Sequence, residues 1–379
     1  MLPSPDRLPS FEVQAIETTK NSKKADLSPG LASGMFPIVN GTPLQADAAI
    51  LRDRDGAEVL VVAVKGTFHL GRDERALLAI EQEQIRLIPQ YRGDAGAASL
   101  ILEAEMTDPK PETDIVLDAI AHAPNNEPAQ VVPVGIKIGR VAKRVVVFGE
   151  RLWLKGAREP RISQPIPFVT MPIIYERAFG GRDRRADGTE VWDERNPVGT
   201  GYICEPGEAP GRRLPNIERP DDLIASWKDR PAPAGFGPLE RHWLPRRGLA
   251  GTYDDAYLKE RVPLPPTDLD ERFYLGAPPD QQSGAHLVGG EQVELHNLSP
   301  AGLQRFRIPQ VRPGVSALIA GKLSFHTVNL DTLFIRPHAR ELALVWRAVI
   351  PCHRRSLRIE RVSIWLKTWI HKAGGVASS

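Results

Sequence analysis

The segment 58–68 is apolar at both its odd and its even positions, most clearly from Val59 to Val64. A strand with this pattern buries both faces and therefore lies inside a layered β structure. The segment 46–52 is also predicted to be a strand, and the Asp55-Gly56 dipeptide between the two favours a tight hairpin turn. The 35 prolines and 32 glycines agree with this interpretation, because both residues interrupt helices. The chain is therefore predicted to be mainly β.

Further strand patterns recur on both sides of a long irregular middle region. The predicted strands are 114–123, 130–138, 141–148, 292–298, 303–308, 316–330, 332–336 and 342–350, while 361–367 fits either a strand or a helical face. Short helices are predicted at 220–227 and 253–261. We therefore predict a mainly β fold built from sandwich-like antiparallel β units, with a long Gly/Pro-rich irregular central segment and few short helices.

Composition divides the sequence into four regions. Residues 1–34 are polar and aperiodic and predict a flexible N-terminal extension, and 35–175 predict a first β-rich unit. Residues 176–290 predict an irregular, aromatic-rich connecting segment, far longer than an ordinary loop. Residues 291–379 predict a second β-rich unit with a basic C-terminal tail. From Arg336 onward, nine Lys and Arg against two acidic residues give a local charge of +7, which indicates either a solvated face or a seat for an acidic partner.

Charge and composition argue against several classes of function. The net charge of +2 gives no general field for nucleic acid or membrane, so we expect neither as a partner. Cys204 and Cys352 form no disulfide framework, which indicates a reducing compartment. The first residues lack the basic-then-apolar pattern of a secretion signal, so we expect a cytoplasmic protein. Metal-ligand spacings, a Walker sequence and a nucleophile elbow are all missing from the sequence, so we expect no metal, no cofactor and no enzymatic activity.

The stretch 168–202 combines aromatic side chains with Gly, Pro and paired charges. Irregular backbone this rich in aromatics either packs as an ordered flap or serves as a contact surface, and aromatics and arginines are frequent anchors of protein interfaces. The predicted partner-binding residues are Arg177, Arg182, Trp192 and Trp243, and the predicted loop-shaping residues are Tyr175, Gly180, Gly181 and Pro197. Taken singly, each tryptophan is expected to pack inside. Of the set Trp192, Trp227, Phe236 and Trp243, we expect at least one to be exposed.

An acidic pair suggests an alternative function. Glu103 and Glu105 would share one face of a strand, an arrangement in which two carboxylates can hydrolyse a sugar linkage. The neighbouring Pro109 and Pro111 instead predict a surface loop with solvated carboxylates, and this interpretation is favoured. The alternative is therefore a glycan-acting β protein, or a glycan-binding one that stacks sugars on the same aromatics.

Several strings in a fixed order resemble a bacterial family first catalogued as a domain of unknown function and encoded in type VI secretion clusters. They are DIVL from Asp114, VFGE from Val147 followed by Arg151 and Trp153, MP from Met171, YERAFGG from Tyr175, NPVG from Asn196, PAGFGP from Pro233, Trp243, AGTYD from Ala250, Phe273, APPDQ from Ala277 and VWR from Val345. YERAFGG, NPVG and PAGFGP are the most specific of these in combination. The resemblance covers residues 36–347.

The resemblance implies a non-enzymatic cytoplasmic adaptor or chaperone. Such proteins are thought to bind a toxic effector linked to a PAAR-type tip or a Rhs-type shell, to keep it soluble and to promote its loading onto the VgrG spike. The family has no defined catalytic residues to carry over, so the contact residues above rest on their chemistry alone. We expect the effector to engage an open sheet edge or an aromatic groove.

Overall fold

The computed structural model describes residues 36–369. The predicted N-terminal extension 1–34 and the last ten residues of the predicted basic tail lie outside the described residues. Within them the fold is mainly β, with several antiparallel sheets, as predicted. The helical elements are one α-helix, α1 (Asp255–Glu260), and short 3-10 helices at Pro124–Asn126, Tyr175–Arg177, Pro206–Glu208, Arg246–Leu249, Glu271–Tyr274, Pro279–Gln281 and Ser356–Arg358.

The strands fall into two long series separated by a middle region of very short ones. The first series is β1 (Ile38–Asn40), β2 (Gln45–Arg52), β3 (Glu58–Leu70), β4 (Ala76–Leu78), β5 (Gln90–Tyr91), β6 (Leu100–Leu102), β7 (Asp114–Leu117), β8 (Ala119–His122), β9 (Val131–Ile138) and β10 (Val141–Phe148). The middle series is β11 (Trp153–Leu154), β12 (Arg161–Ile162), β13 (Thr170–Ile173), β14 (Phe179–Gly180), β15 (Arg182–Arg184), β16 (Glu190–Trp192), β17 (Thr200–Gly201) and β18 (Ile217–Glu218).

The last series lies in the C-terminal region. It comprises β19 (Gln292–His296), β20 (Leu303–Arg307), β21 (Val311–Ile319), β22 (Lys322–His326), β23 (Asn329–Arg336), β24 (Glu341–Pro351) and β25 (Ile359–Trp369). Because β25 runs for eleven residues, the ambiguous segment 361–367 is a strand rather than a helix.

A six-stranded sheet joins the two ends of the chain. Its order is β2, β3, β24, β23 and β7, with β4 added beside β3. The predicted hairpin between β2 and β3 is confirmed, with Arg52 opposite Glu58 across the turn. The residues of β3 from Val59 to Phe68 are all buried, so the two-faced apolar pattern did indicate an internal strand. The hairpin between β23 and β24 around Pro337 is confirmed as well.

Two further sheets cover this one. A five-stranded sheet has the order β18, β10, β9, β19 and β20, and a four-stranded sheet has the order β1, β25, β21 and β22. One hydrophobic core unites side chains of all three sheets, including Val62, Leu344, Trp346, Val134, Leu295, Val315 and Val362. Strands of the regions 35–175 and 291–379 therefore pair within the same sheets. The predicted domain boundaries at residues 175 and 290 stay predictions.

Some sequence-based boundaries were wrong because a local pattern does not show where a strand changes partner. The predicted strand 114–123 is two strands, since β7 pairs in parallel with β23 and β8 pairs with β13. The predicted strand 316–330 is interrupted by a turn at Ala320-Gly321, where both residues have positive φ. The predicted helix at 220–227 consists of turns and irregular backbone, whereas that at 253–261 contains α1.

Candidate functional site

Asn196 joins two loops in the middle region of the chain through buried hydrogen bonds. It lies in the turn after β16 and is completely buried. Its side-chain Nδ2 donates hydrogen bonds to the backbone carbonyl oxygens of Tyr175 (2.8 Å) and Phe179 (2.9 Å). Its backbone carbonyl oxygen accepts one from the N–H of Gly181 (2.8 Å). Buried polar groups paired in this way fix the backbone that they join. The YERAFGG and NPVG strings therefore form one locked loop pair.

Two glycines make the close approach of these loops possible. Gly180 has φ +142° and Gly181 has φ +101°, a region that strains any residue with a Cβ. A Cβ on Gly180 would overlap the carbonyl oxygen of Asn196, and one on Gly181 would overlap that of Gly199. Pro197 follows Asn196 in the turn and is half-buried. The predicted loop-shaping residues Gly180 and Gly181 therefore lie at this contact.

Tyr175 and Trp243 pack against each other in the core. Their rings meet edge to face at 5.6 Å, and the Tyr175 hydroxyl donates to the carbonyl oxygen of Gly237 (3.2 Å). Burial strongly raises the pKa of Tyr175. Trp243 is only 1% exposed, so it is a packing residue in this conformation and offers no contact surface. The expectation that each single tryptophan packs inside holds for Trp243, because this irregular segment packs aromatics into the main core.

The hairpin of β15 and β16 carries the exposed part of the middle region. Arg182 lies directly opposite Trp192, so both side chains are on the same face. Trp192 is 46% exposed and Arg182 is exposed, which confirms the expectation that at least one of the four aromatics faces solvent. We call Arg182 and Trp192 the hairpin patch. Arg184 and Glu190, a further cross-strand pair, extend its exposed face.

Buried groups anchor the hairpin from its other face. Asp183 accepts hydrogen bonds from the backbone N–H of Cys204 (2.8 Å) and from Arg212 Nη1 (3.2 Å). Burial would raise the pKa of Asp183, but the hydrogen bonds from Cys204 and Arg212 outweigh it and hold that pKa below its usual range. The hairpin patch therefore sits on a charged, hydrogen-bonded base.

Arg177 is partly exposed and already has partners within the chain. Its Nη1 contacts Glu150 Oε1 (2.8 Å) and Asn216 Oδ1 (2.9 Å). An arginine held by two side chains is preorganised, and its remaining N–H groups are available to a partner. Arg177 therefore stays a candidate contact residue.

The acidic pair of the alternative function is buried and neutralised by cations. Glu103 Oε1 lies 2.7 Å from Arg246 Nη2, and Glu103 Oε2 lies 3.6 Å from Lys110 Nζ. Burial would raise the pKa of Glu103, but the charges of Lys110, Arg246 and Arg241 outweigh it and hold the pKa below its usual range. The expectation of solvated carboxylates in a surface loop was therefore wrong.

Glu105 belongs to the same buried charge network. Its Oε1 lies 2.7 Å from Nζ of Lys65, a side chain that is 1% exposed, and its Oε2 accepts a hydrogen bond from the Arg86 N–H (2.8 Å). Glu103 and Glu105 follow the end of β6 rather than sharing a strand face. Because each carboxylate has a cationic partner, neither is free to act as an acid or a base without breaking an ion pair.

The network continues to the C-terminal strands. Arg347 on β24 contacts Asp331 Oδ2 through Nη1 (2.8 Å) and donates to the carbonyl oxygens of Asp108 (2.7 Å) and Glu105 (2.8 Å). On β7, Asp114 accepts hydrogen bonds from Lys110 Nζ (2.5 Å) and the Gly276 N–H (2.7 Å). These contacts tie the central segment to the six-stranded sheet.

A small cavity lies inside the network. Its volume is about 20 Å³, and its polar lining comes from Glu103, Glu105, Lys110, Asp114, Thr332 and Arg347. A cavity of this size accommodates about one or two water molecules. A sugar ring does not fit within it. Among the described residues, no group of three or more His, Cys, Asp or Glu is arranged to hold a metal ion, and no helix is long and apolar enough to span a membrane.

Glu240 has an unusual environment beside this network. It is 6% exposed, and its Oε2 accepts a hydrogen bond from the Tyr91 hydroxyl at 3.5 Å. Burial, and then the charge of Glu103, raise the pKa of Glu240 to about 7. The positive charges of Arg246 and Arg241 act in the opposite direction on this pKa but are outweighed. Glu240 is therefore a group that changes charge near neutral pH.

We expect Glu240 to make the stability pH-dependent. Its pKa in the folded state lies above the value in the unfolded chain, so the folded state binds the proton more tightly. The stabilisation is complete below the unfolded pKa near 4.5 and is lost as pH rises through about 7. As the pH rises from 5 to 8, we expect the free energy of unfolding of Glu240→Gln to increase by about 2–3 kcal/mol relative to that of the wild type. Urea unfolding measures this difference.

Glu127→Gln is the matched control, because Glu127 is exposed. It should follow the wild-type stability at every pH. Equal pH dependence of the wild type and Glu240→Gln would contradict this assignment of the titrating group.

The roles of Asn196 and of the buried charge network were not predicted from the sequence. A usable signal was present, since Lys65, Asp331 and Arg347 are charged residues inside otherwise apolar strand patterns. A charge at such a position is almost never buried without a partner. Three charges of both signs on internal strands therefore indicate buried ion pairs, although the sequence does not say which residues pair.

The chain was also compared with known proteins. A family model described as "Uncharacterized protein conserved in bacteria (DUF2169)" matches residues 55–347. No curated protein and no solved structure matches the chain. The matched range contains the locked loop pair, the hairpin patch and most of the buried charge network.

Proposed function

The chain belongs to the bacterial DUF2169 family, and from this premise we propose that it is a non-enzymatic adaptor that binds a protein partner. The proposed partner is a type VI secretion effector linked to a PAAR-type tip or a Rhs-type shell, in accordance with the sequence resemblance above. The adaptor would act in the cytoplasm, stabilise the effector and promote its loading onto the VgrG spike.

The hairpin patch is the observation that carries this proposal. A half-exposed tryptophan beside an exposed arginine has the composition of an interface anchor, because both residues are enriched among the side chains that dominate binding. The base beneath it is fixed by the contacts of Asp183 and Asn196, so little conformational freedom is lost on binding. Preorganised display of this kind supports recognition of a protein surface.

The buried charge network favours the adaptor over the glycan-acting alternative. Glu103 and Glu105 are held by Arg246, Lys110 and Lys65, and the cavity between them has room only for water. A glycosidase needs two carboxylates that flank a bound sugar. The network instead has the features of a structural clamp between the central segment and the sheets.

Co-expression tests the proposal through the hairpin patch. The protein is produced in a laboratory host together with a PAAR- or Rhs-linked effector from its own genome, and the soluble effector recovered with it is quantified. We expect Trp192→Ala combined with Arg182→Glu to lower recovery at least about tenfold, since central aromatic and arginine contacts are worth about 2 kcal/mol or more.

The control is Tyr253→Ala, which removes another exposed aromatic, 59% accessible, from a different loop. Both proteins should melt within a few degrees of wild type, because their altered side chains are exposed. Wild-type recovery by the Trp192 and Arg182 double variant would contradict the surface assignment. Failure of the wild-type protein to retain or solubilise any such effector would contradict the function itself.

A further inference from the structure

The outer face of the four-stranded sheet carries a continuous row of side chains across all four strands. Val39 on β1 is opposite Ser363 on β25, Ser363 is opposite Ser316 on β21, and Ser316 is opposite Phe325 on β22. Residues that face one another in register point to the same side of a sheet. Neighbouring residues such as Val362 and Ile364 point into the core, so this row faces away from it.

The row is apolar and exposed at its two ends, whereas Ser316 in its middle is only 5% exposed. Phe325 is 68% exposed, Val39 is 51% exposed and Leu323 is 45% exposed. Trp365 packs over Gly314, where an added Cβ would lie 2.5 Å from Trp365 Cε2, and it meets Phe325 edge to face at 5.7 Å. Clustered apolar groups of this kind on a soluble protein mark interaction sites.

The strand β22 ends this sheet. Within residues 36–369, no strand pairs with the edge of β22 that faces away from β21. The backbone N–H and C=O groups along such an edge are a template for another extended chain. The side chains on β22 alternate, since Leu323 and Phe325 lie on the outer face while Lys322, Ser324 and His326 lie on the other.

Positive charges outnumber negative ones around this edge. Lys322 is exposed on β22, Arg361 is exposed at an outer-face position of β25, and Lys367 is exposed near the end of β25. The acidic Glu360 is exposed at a register shift of β25 and accepts a hydrogen bond from the Gly321 N–H, next to Lys322. Among the described residues of the four strands, none of those paired on the outer face is acidic. A binding partner therefore gains from acidic residues, which also provide the steering that speeds association.

We propose that the free edge of β22 binds an extended segment of a protein partner in which apolar and acidic residues alternate. The segment would add a fifth strand to the sheet, with its apolar side chains beside Leu323 and Phe325 and its acidic side chains beside Lys322. This inference rests on the proposed adaptor function and names a second contact with the same client, separate from the hairpin patch.

A defined peptide tests the inference without any knowledge of the client. The probe is a fluorescent ten-residue peptide of alternating valine and glutamate, and its matched control alternates valine and lysine. Binding to the full chain is measured by fluorescence anisotropy. We expect the glutamate peptide to bind at least about tenfold more tightly than the lysine peptide, a difference of about 1.4 kcal/mol, and to weaken as salt is added.

Variants locate the binding site. Phe325→Ser should weaken binding of the glutamate peptide at least about tenfold, whereas Leu357→Ser, at an 86% exposed apolar residue in the turn before β25, should leave it unchanged. Thermal melting checks that both variants fold. Equal binding of the two peptides, no binding of either, or unchanged binding by Phe325→Ser would overturn the inference. So would a dimer, detected by light scattering, that Phe325→Ser dissociates.

The outcome is separable from that of the proposed function. Co-purification of an effector through the hairpin patch, with no peptide bound at β22, would overturn the β22 inference and leave the adaptor function standing. Peptide binding at β22 without any effector client would overturn the adaptor function and leave the β22 binding site standing.

Discussion

Replacing Arg347 with methionine is expected to lower the free energy of unfolding by about 3–5 kcal/mol, the usual cost of leaving one partner of a buried ion pair alone. Arg347 is 3% exposed and contacts Asp331, which is 1% exposed. The substitution also removes the donors that satisfy the carbonyl oxygens of Asp108 and Glu105. Equilibrium urea unfolding at neutral pH measures the change.

The control removes an exposed arginine by the same substitution. Arg305 is 56% exposed in its side chain and pairs with Glu294 at 3.4 Å on the surface of the five-stranded sheet. Arg305→Met should cost less than about 1 kcal/mol, as exposed ion pairs contribute little. A loss for Arg347→Met that is no larger than the loss for Arg305→Met would show that the buried Arg347–Asp331 pair does not stabilise the fold.

Gly180→Ala is expected to cost about 2–5 kcal/mol, because strain at positive φ and overpacking act together at this position. Gly180 has φ +142°, and an added Cβ would overlap the carbonyl oxygen of Asn196. That oxygen belongs to the residue that locks the two loops, so it has little freedom to move. The measurement is again urea unfolding, complemented by the melting temperature.

Gly188, in the turn between β15 and β16, is the matched control. It has φ +86°, but nothing lies within 4 Å of the position that a Cβ would occupy. Gly188→Ala therefore measures backbone strain without the steric overlap, and it should cost about 1–2 kcal/mol. If both alanine variants lose the same stability, the close packing of Gly180 on Asn196 does not contribute and the locked loop pair is not rigid.

Local periodicity was sufficient to predict the fold class and several hairpins. The two-faced apolar run of β3 and the Asp55-Gly56 turn both describe interactions between residues that are close in sequence. The pairing of β7 with β23 and of β1 with β25 joins residues more than two hundred positions apart. Such pairing depends on the packing of the entire core, which no local pattern contains.

The candidate site was predictable only in part, for a related reason. Trp192 and Trp243 have similar sequence surroundings, rich in Arg, Pro and charge, yet one is half-exposed and the other is buried. What separates them is the position of Tyr175, which lies 68 residues before Trp243 and packs on its ring. Likewise, Glu103 appeared solvated because its cation Arg246 is distant in the sequence.

The most direct test of the adaptor function is a pull-down of the tagged, full-length protein from the bacterium that produces it, with its secretion genes expressed. Bound proteins are identified and quantified by mass spectrometry. The proposal predicts a type VI effector or spike protein in near-equal amount to the adaptor, and its loss in the Trp192→Ala and Arg182→Glu double variant. Recovery of the wild-type protein without any such partner would contradict the proposed function.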